Sequence, residues 1–359
     1  MLAGQPKWQA AIVGCGWVAE RIHLPYLSSS PAVSLIGCFD SNQSRSQEMC
    51  EQFGLIPFQS VDALLASPAE IVVICTPPSS HAALTISALQ HGKHVICEKP
   101  LATSSMDARA IADVSRATGR HVFCCMTNRY RPDVRRMARE VREGGIGEPR
   151  FMRVSWFRAR GIPTTEGALE KGVLWDLGAH LIDLVVWVTG WRDPVRVTAN
   201  QTQTALGRPI EAASWYGHSS SVSASTRVMD TVAVDIVFRN GGIGCVEASW
   251  AAHIPEDRTE VLLFGSEAAL RLSTVFGWSP SRDSVPGPAL AMSSRHQSTW
   301  LPLLAEQDRE HTEYRAQLDH FFECIRMGSG VAEELEVTLD SVSILTAAEA
   351  DLERLEVQT

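Results

Sequence analysis

In the first 125 residues, short and almost unbroken apolar runs alternate with amphipathic stretches of helical period. The runs fall at residues 9–13, 33–39, 71–76, 94–97 and 121–125, with helical patterns between them at 18–28, 44–53, 80–91 and 105–118. Strands read this way when helices cover both faces of a parallel sheet, and the alternation implies crossover βαβ units. The pattern predicts an α/β fold whose N-terminal domain, residues 1–125, is a Rossmann-type doubly wound parallel sheet.

The pattern changes after residue 126. Longer strands with partial alternation are expected at 149–158, 195–204, 230–238, 242–250, 259–265 and 268–273, and helices at 173–189, 311–327 and 335–355. Asn240-Gly241, set between two apolar runs, is hairpin chemistry. Residues 126–359 are therefore expected to form a C-terminal α+β domain with a large, mostly antiparallel open sheet, serving substrate binding and oligomerisation. Its last helix is a candidate to pack back on the first domain. The Ser-, Gly- and Pro-rich stretches 205–228 and 277–300 read as loops.

Composition narrows the partners. The chain has 359 residues, 45% hydrophobic and 20% charged, with a formal net charge of -9. Phosphate binding needs a basic field, so no nucleic-acid partner is expected, and the most basic stretch, 129–142, reads as a solvated helix face. No run approaches the about eighteen consecutive apolar residues of a bilayer span, so no membrane partner is expected. The nine cysteines are scattered through apolar runs without zinc-ligand spacing, reading as small buried hydrophobes. No metal is expected. The first seven residues lack signal-peptide character, and a reducing cytoplasm is the expected compartment.

Gly14-Cys15-Gly16-Trp17-Val18-Ala19 follows the first strand and opens the first helix, the context a G-x-G-x-x-G/A turn requires. The first glycine permits the tight turn, the second lets backbone approach a pyrophosphate, and Ala19 lets helix and strand pack closely. Asp40 ends the second strand 24 residues after Gly16. A carboxylate there accepts from adenosine ribose hydroxyls and repels a 2′-phosphate, which favours NAD(H) over NADP(H). Arg45 blurs that preference, since an arginine can pair a phosphate or stack on adenine.

These residues, with Cys75-Thr76-Pro77-Pro78-Ser79-Ser80-His81, Glu98-Lys99-Pro100-Leu101-Ala102 and Asp176-Leu177-Gly178-Ala179-His180-Leu181-Ile182-Asp183, resemble the glucose-fructose oxidoreductase/inositol dehydrogenase/rhizopine catabolism (Gfo/Idh/MocA) family of NAD(P)-dependent oxidoreductases. Weaker echoes are Asn128-Arg129-Tyr130, the Gly144 to Pro149 turn and the Phe264-Gly265-Ser266-Glu267-Ala268 turn. The resemblance spans nearly the whole chain. It implies a catalytic group of Lys99, Asp176 and His180, and a cofactor site drawing on Gly14, Gly16, Trp17, Val18, Asp40, Arg45, Thr76, Pro77, His81, Glu98, Lys99 and Asn128. It also implies a cyclitol, sugar or modified (amino) sugar as substrate, and a homodimer or homotetramer that covers the open sheet.

The residue types suit that chemistry. Lys99 follows the fourth apolar strand, and ligands of doubly wound sheets sit at strand carboxyl ends. Asp176 and His180 are four apart, on one face of the helix expected from residue 173. Oxidising a secondary alcohol needs a base at the hydroxyl, a role that suits His180, while Lys99 stabilises alkoxide charge and Asp176 orients substrate or imidazole.

The chain departs from the commoner family pattern at Lys171-Gly172-Val173-Leu174-Trp175, where a run of glycines is replaced. Trp175 is a candidate substrate wall or ring-stacking residue, with a core position the alternative. Arg158 is a candidate for a substrate carboxylate or phosphate, with Arg160 beside it, and a solvated strand end is the alternative. Two rival functions stay open at this point, an NAD-dependent glycosidase of the same family and a non-catalytic dinucleotide-sensing regulator.

Overall fold

All five apolar runs of the N-terminal region form strands: β1 (Trp8–Val13), β2 (Val33–Phe39), β4 (Ile71–Ile74), β5 (His94–Cys97) and β6 (Val122–Cys124). A further two-residue edge strand, β3 (Ile56–Pro57), is too short to carry a period. The computed structural model describes residues 7–159, 161, 171–203, 229–279, 281–282, 289–297, 299–304 and 311–358, so the expected 205–228 loop and Arg160 lie outside the described residues. The chain divides into two units, Met1–Cys125 with Tyr314–Val342, and Met126–Glu313 with Ser343–Thr359.

In the first unit the six strands are parallel in the order β3-β2-β1-β4-β5-β6. Ile71 to Ile74 and Val95 to Cys97 are at most 1% exposed, which is why these strands read as continuous apolar runs. Each buried aliphatic side chain contributes roughly 1.5–3 kcal/mol. The first helix differs from expectation in geometry, since a turn of π-helix (Ala19–His23) precedes α1 (Leu24–Ser29). Then come α2 (Gln43–Phe53), a short α3 (Val61–Leu65), α4 (His81–Gln90) and α5 (Ser105–Thr118). Ser104 caps α5 by accepting the Asp107 N–H.

The second unit carries the eight-stranded sheet, ordered β14-β13-β12-β11-β7-β10-β9-β8. Its strands are β7 (Pro149–Phe157), β8 (Pro194–Thr202), β9 (Thr231–Phe238), β10 (Ile243–Ser249), β11 (Arg258–Gly265), β12 (Ala268–Thr274), β13 (Leu290–Ser294) and β14 (Leu301–Leu304). Pairing is antiparallel except between β10 and β7. The Asn240-Gly241 hairpin forms as its chemistry predicts: Gly241 takes φ +83° and the Asn240 side chain accepts the Gly242 N–H. One sheet face, including Val154, Trp156, Val246 and Leu263, is buried, and α7 (Ala179–Thr189) packs on β7 and β10. On the other face, Ile243 and Phe264 are exposed.

Two expectations are corrected. The 277–300 region contains β13, whose Leu290 and Ala291 are buried; its Ser-rich neighbourhood masked a strand that needs only two apolar positions against β12. Residues 132–142 form α6 (Pro132–Arg142), and the basic stretch from 129 is only partly a solvated face. Arg135, Arg139 and Arg142 are exposed, but Arg129 and Arg131 are at most 2% exposed, forked onto Asp183 and Asp133. A guanidinium enters a core only when paired, and both partners are supplied. By length and composition, Lys171–Thr189 could cross a membrane, yet 72% of its most apolar stretch is buried in the fold. The chain closes with α8 (Thr312–Met327) and α9 (Val331–Gln358).

Candidate active site

The sheet order of the first unit reverses at β1 and β4, which is where open α/β sheets bind ligands, at the carboxyl ends of the strands. Gly14 sits there with φ +92°, and a Cβ on it would come within 2.7 Å of the Cys75 carbonyl. No other residue fits. A Cβ on Gly16 would meet nothing within 4 Å, so the turn leaves open space at the start of the π turn. That is the cradle a pyrophosphate needs.

Asp40, 8% exposed at the end of β2, accepts the Cys15 N–H at 2.7 Å and the Asn42 N–H at 2.8 Å. It therefore ties the Gly14-Cys15-Gly16 turn to the second strand. Each carboxylate oxygen keeps a further lone pair, so a diol can still be accepted. Arg45 is exposed, with its guanidinium 3.9 Å from Asp40.

The loops leaving β4 and β5 are clamped to each other. His81 turns Nε2 to the Thr76 carbonyl and Nδ1 to the Pro100 carbonyl, both at 2.7 Å, and is 1% exposed. The Ser80 hydroxyl is bonded to that of Thr76. Lys99 is half-buried just beyond β5. Glu98 before it meets His23 Nε2 at 2.7 Å and accepts the Lys99 N–H. Burial pulls the Glu98 carboxyl upward, but His23 and the neighbouring Lys99 charge outweigh it and hold the group below its ordinary value. Donor atoms of His23, Glu98 and Cys125 lie within 4.8 Å of one another. The His23–Glu98 hydrogen bond already occupies two of them, and burial and the Glu98 charge push the Cys125 thiol well up.

In the second unit, Asp176 lies in a turn of π-helix (Leu174–Gly178) that runs directly into α7, which begins with Ala179 and His180. From Val173 to Ile182 every residue is buried except Asp176 and His180. These two share the helix's accessible stripe. Trp250, fully buried just beyond β10, donates its indole N–H to Asp176 Oδ2 at 2.9 Å. The His180 ring lies against Trp156 with centroids 5.9 Å apart.

The other expected site residues are distributed as follows. Trp17, Val18 and Thr76 are half-buried and Pro77 is exposed, all in the first unit. Asn128 is 6% exposed and belongs to the second unit. Trp175 is 2% exposed, with its N–H on Glu349 at 3.0 Å, and Lys171 reaches the same carboxylate oxygen at 3.0 Å. The indole is thus a core anchor tied to α9. Arg158 is 7% exposed, its guanidinium over the Trp156 ring and bonded to the Trp278 carbonyl. Sequence reasoning missed Trp250, His23 and Glu349. Trp250 had a faint signal, a large amphipathic ring at a strand's carboxyl end; the other two had none.

Together these features define a dinucleotide-binding oxidoreductase architecture. Residues 8–125 match the model of an oxidoreductase family with an NAD-binding Rossmann fold, and residues 134–271 match the Gfo/Idh/MocA C-terminal domain. The chain belongs to the Gfo/Idh/MocA family. It is 29% identical over 260 residues to the D-glucoside 3-dehydrogenase of Escherichia coli K12, covering 69% of this chain and 72% of that protein. It is 24% identical over 341 residues to the NAD(+)-dependent scyllo-inositol 2-dehydrogenase of Bacillus subtilis 168, covering 92% and 90%. A 3-ketoreductase from Actinomadura kijaniata, solved with NADP and TDP-benzene, has the same fold, with a TM-score of 0.74 at 20% identity over 97% of this chain and 98% of that one.

Proposed function

We propose that the chain transfers a hydride between NAD(H) and a secondary alcohol or ketone of a cyclitol, sugar or modified (amino) sugar. The observation that carries this is the pair Asp176 and His180, the accessible residues of an otherwise buried stretch from Val173 to Ile182. The named activities of the glucoside and inositol dehydrogenase relatives support the substrate class.

Bound NAD(H) supplies the hydride acceptor or donor. The Gly14–Gly16 turn binds its pyrophosphate through backbone N–H groups, and Asp40 binds the adenosine ribose, favouring NAD(H) over NADP(H). On the substrate, His180 takes the hydroxyl proton in oxidation and returns it in reduction. Lys99 donates to the same oxygen and stabilises alkoxide-like charge, while Asp176, held by Trp250, orients the reacting group. Trp175 and Arg158 shape the substrate side from behind, through Glu349 and Trp156.

A homodimer or homotetramer formed through the open sheet face is part of this reading. Phe151 is flanked in register by Ile243 and Phe264, which are 40% and 41% exposed, so a continuous apolar strip faces outward. A second copy presents the same strip, which satisfies the self-complementarity of a two-fold interface. All nine cysteines are free thiols, in keeping with a reducing cytoplasm.

The test is a panel of cyclitols, glucosides and amino sugars assayed for NADH formation by the absorbance of the reduced nicotinamide. Turnover with at least one member, lost in Lys99→Ala, supports the reading. Glycoside cleavage with no net NADH change would replace it with a glycosidase.

A further inference from the structure

We propose that His81 is a protonated positioning residue whose two N–H groups lock the Thr76 loop to the Pro100 loop, holding the cofactor-facing rim of the first unit in one arrangement. It deepens the cofactor reading above and rests on it for its functional half. The two loops leave the carboxyl ends of β4 and β5, which are neighbours in the sheet, and carry Thr76-Pro77 and Glu98-Lys99-Pro100.

The argument is one of donor count. Both His81 ring nitrogens lie 2.7 Å from backbone carbonyl oxygens, which only accept. A neutral imidazole has a single N–H, so one nitrogen lone pair would face a carbonyl lone pair in a site with 1% exposure. Turning the ring over offers no escape, because carbons would then replace nitrogens at both carbonyls. The imidazolium satisfies both acceptors at once.

The surroundings agree with this. Burial pulls the His81 pKa down, but the neighbouring Cys97 on β5 and the hydrogen bonds to the Pro100 and Thr76 carbonyls overcome it and raise it to about 9. Among the described residues, Cys97 is the titratable group that acts on the ring; the Glu98 carboxylate next along the chain is engaged by His23 and by the Lys99 N–H. The start of α4 disfavours a cation through the helix dipole, so the charge is not there for the helix's sake. Because the folded pKa lies above the ordinary 6.5, the tie contributes fully below pH 6.5 and is lost as pH rises through about 9.

The experiment is long-range 1H–15N correlation on the histidine-labelled protein, with His81 assigned by its absence from His81→Gln. Both His81 nitrogens should carry protons at neutral pH, and one of them should lose its proton near pH 9, leaving a single N–H; a neutral tautomer at neutral pH would overturn the inference. In parallel, NADH binding by wild type should weaken about tenfold or more as His81 deprotonates, the scale of losing a charge-assisted hydrogen bond, while His81→Gln binds weakly and without that inflection. Tight binding that ignores this titration sinks the positioning role alone. Absence of NADH binding to wild type at any pH sinks the cofactor reading, and the labelled spectrum still decides the charge state. Should His81→Gln not fold, assignment by through-bond correlation to the His81 backbone in wild type decides the charge, and the wild-type NADH titration decides the positioning role.

Discussion

The Trp250 indole donates its N–H to Asp176 Oδ2 over 2.9 Å from a side chain with no solvent exposure. A carboxylate at the edge of an otherwise buried helix stretch is thereby given a fixed donor that helps set its orientation. Trp250→Phe keeps most of the packing volume and removes the donor. A charged hydrogen bond is worth about 1.5–3 kcal/mol, so kcat/KM should fall roughly tenfold to a hundredfold. Steady-state kinetics on Trp250→Phe, Asp176→Asn and the double variant check it; effects that multiply would show that the two residues act independently.

Binding and chemistry should separate between the units. Lys99→Ala and His180→Ala should each lower kcat by roughly a hundredfold or more, with NAD affinity within about tenfold of wild type. Asp176→Ala should act more on KM. Normal turnover in His180→Ala with none in Lys99→Ala would move the acid/base role to the lysine.

Asp40 serves two ends at once, and its variants should reveal both. Wild type should bind NAD(H) more tightly than NADP(H) in paired titrations. Asp40→Ser should narrow that difference and weaken both cofactors, since the Cys15 and Asn42 N–H groups lose their acceptor. Tighter NADP(H) binding by wild type would point to Arg45 pairing the 2′-phosphate.

Arg129 and Asp183 form a buried ion pair, each side chain 2% exposed. Asp183→Asn strands a guanidinium in the core and should cost roughly 3–5 kcal/mol in urea unfolding, whereas Arg129→Met with Asp183→Leu should recover most of it. A cost below about 1 kcal/mol would place the pair in the range of surface ion pairs instead.

The apolar strip of the open sheet gives the assembly prediction. Phe264→Asp puts a charge beside Phe151, whose ring is stacked 5.4 Å from that of Phe264. Light scattering should show a dimer or tetramer for wild type and a smaller species for the variant; a wild-type monomer at micromolar concentration removes the interface.

Most of the architecture was legible because its determinants are local. Strands buried on both faces announce themselves as apolar runs, and Gly14, Asn240 and Gly241 are demanded by backbone conformation alone. That Asp176 and His180 share one face of their helix was readable from their spacing of four. What was hidden depends on distant partners: Trp250 acquires its role from Asp176, 74 residues away in sequence, and Glu349 acquires its own from Trp175, 174 residues away. Arg129 and Arg131 looked solvated because charge density along the chain does not report pairing across it. β13 was missed because a strand against a buried partner needs few apolar positions of its own.

The first unit includes residues 314–342, so the polypeptide leaves it at Cys125 and returns at Tyr314. Phe321 of α8 stacks on Phe123 of β6 at 4.3 Å, and Asp319 accepts a hydrogen bond from the Tyr26 hydroxyl. A fragment cut after residue 125 would bare Phe123, which is 2% exposed in the whole chain, and leave Tyr26 without its carboxylate. The dinucleotide-binding half is consequently not a portable cassette. Exchanging it with a homologue's would have to carry two separated segments of the chain, residues 1–125 and 314–342.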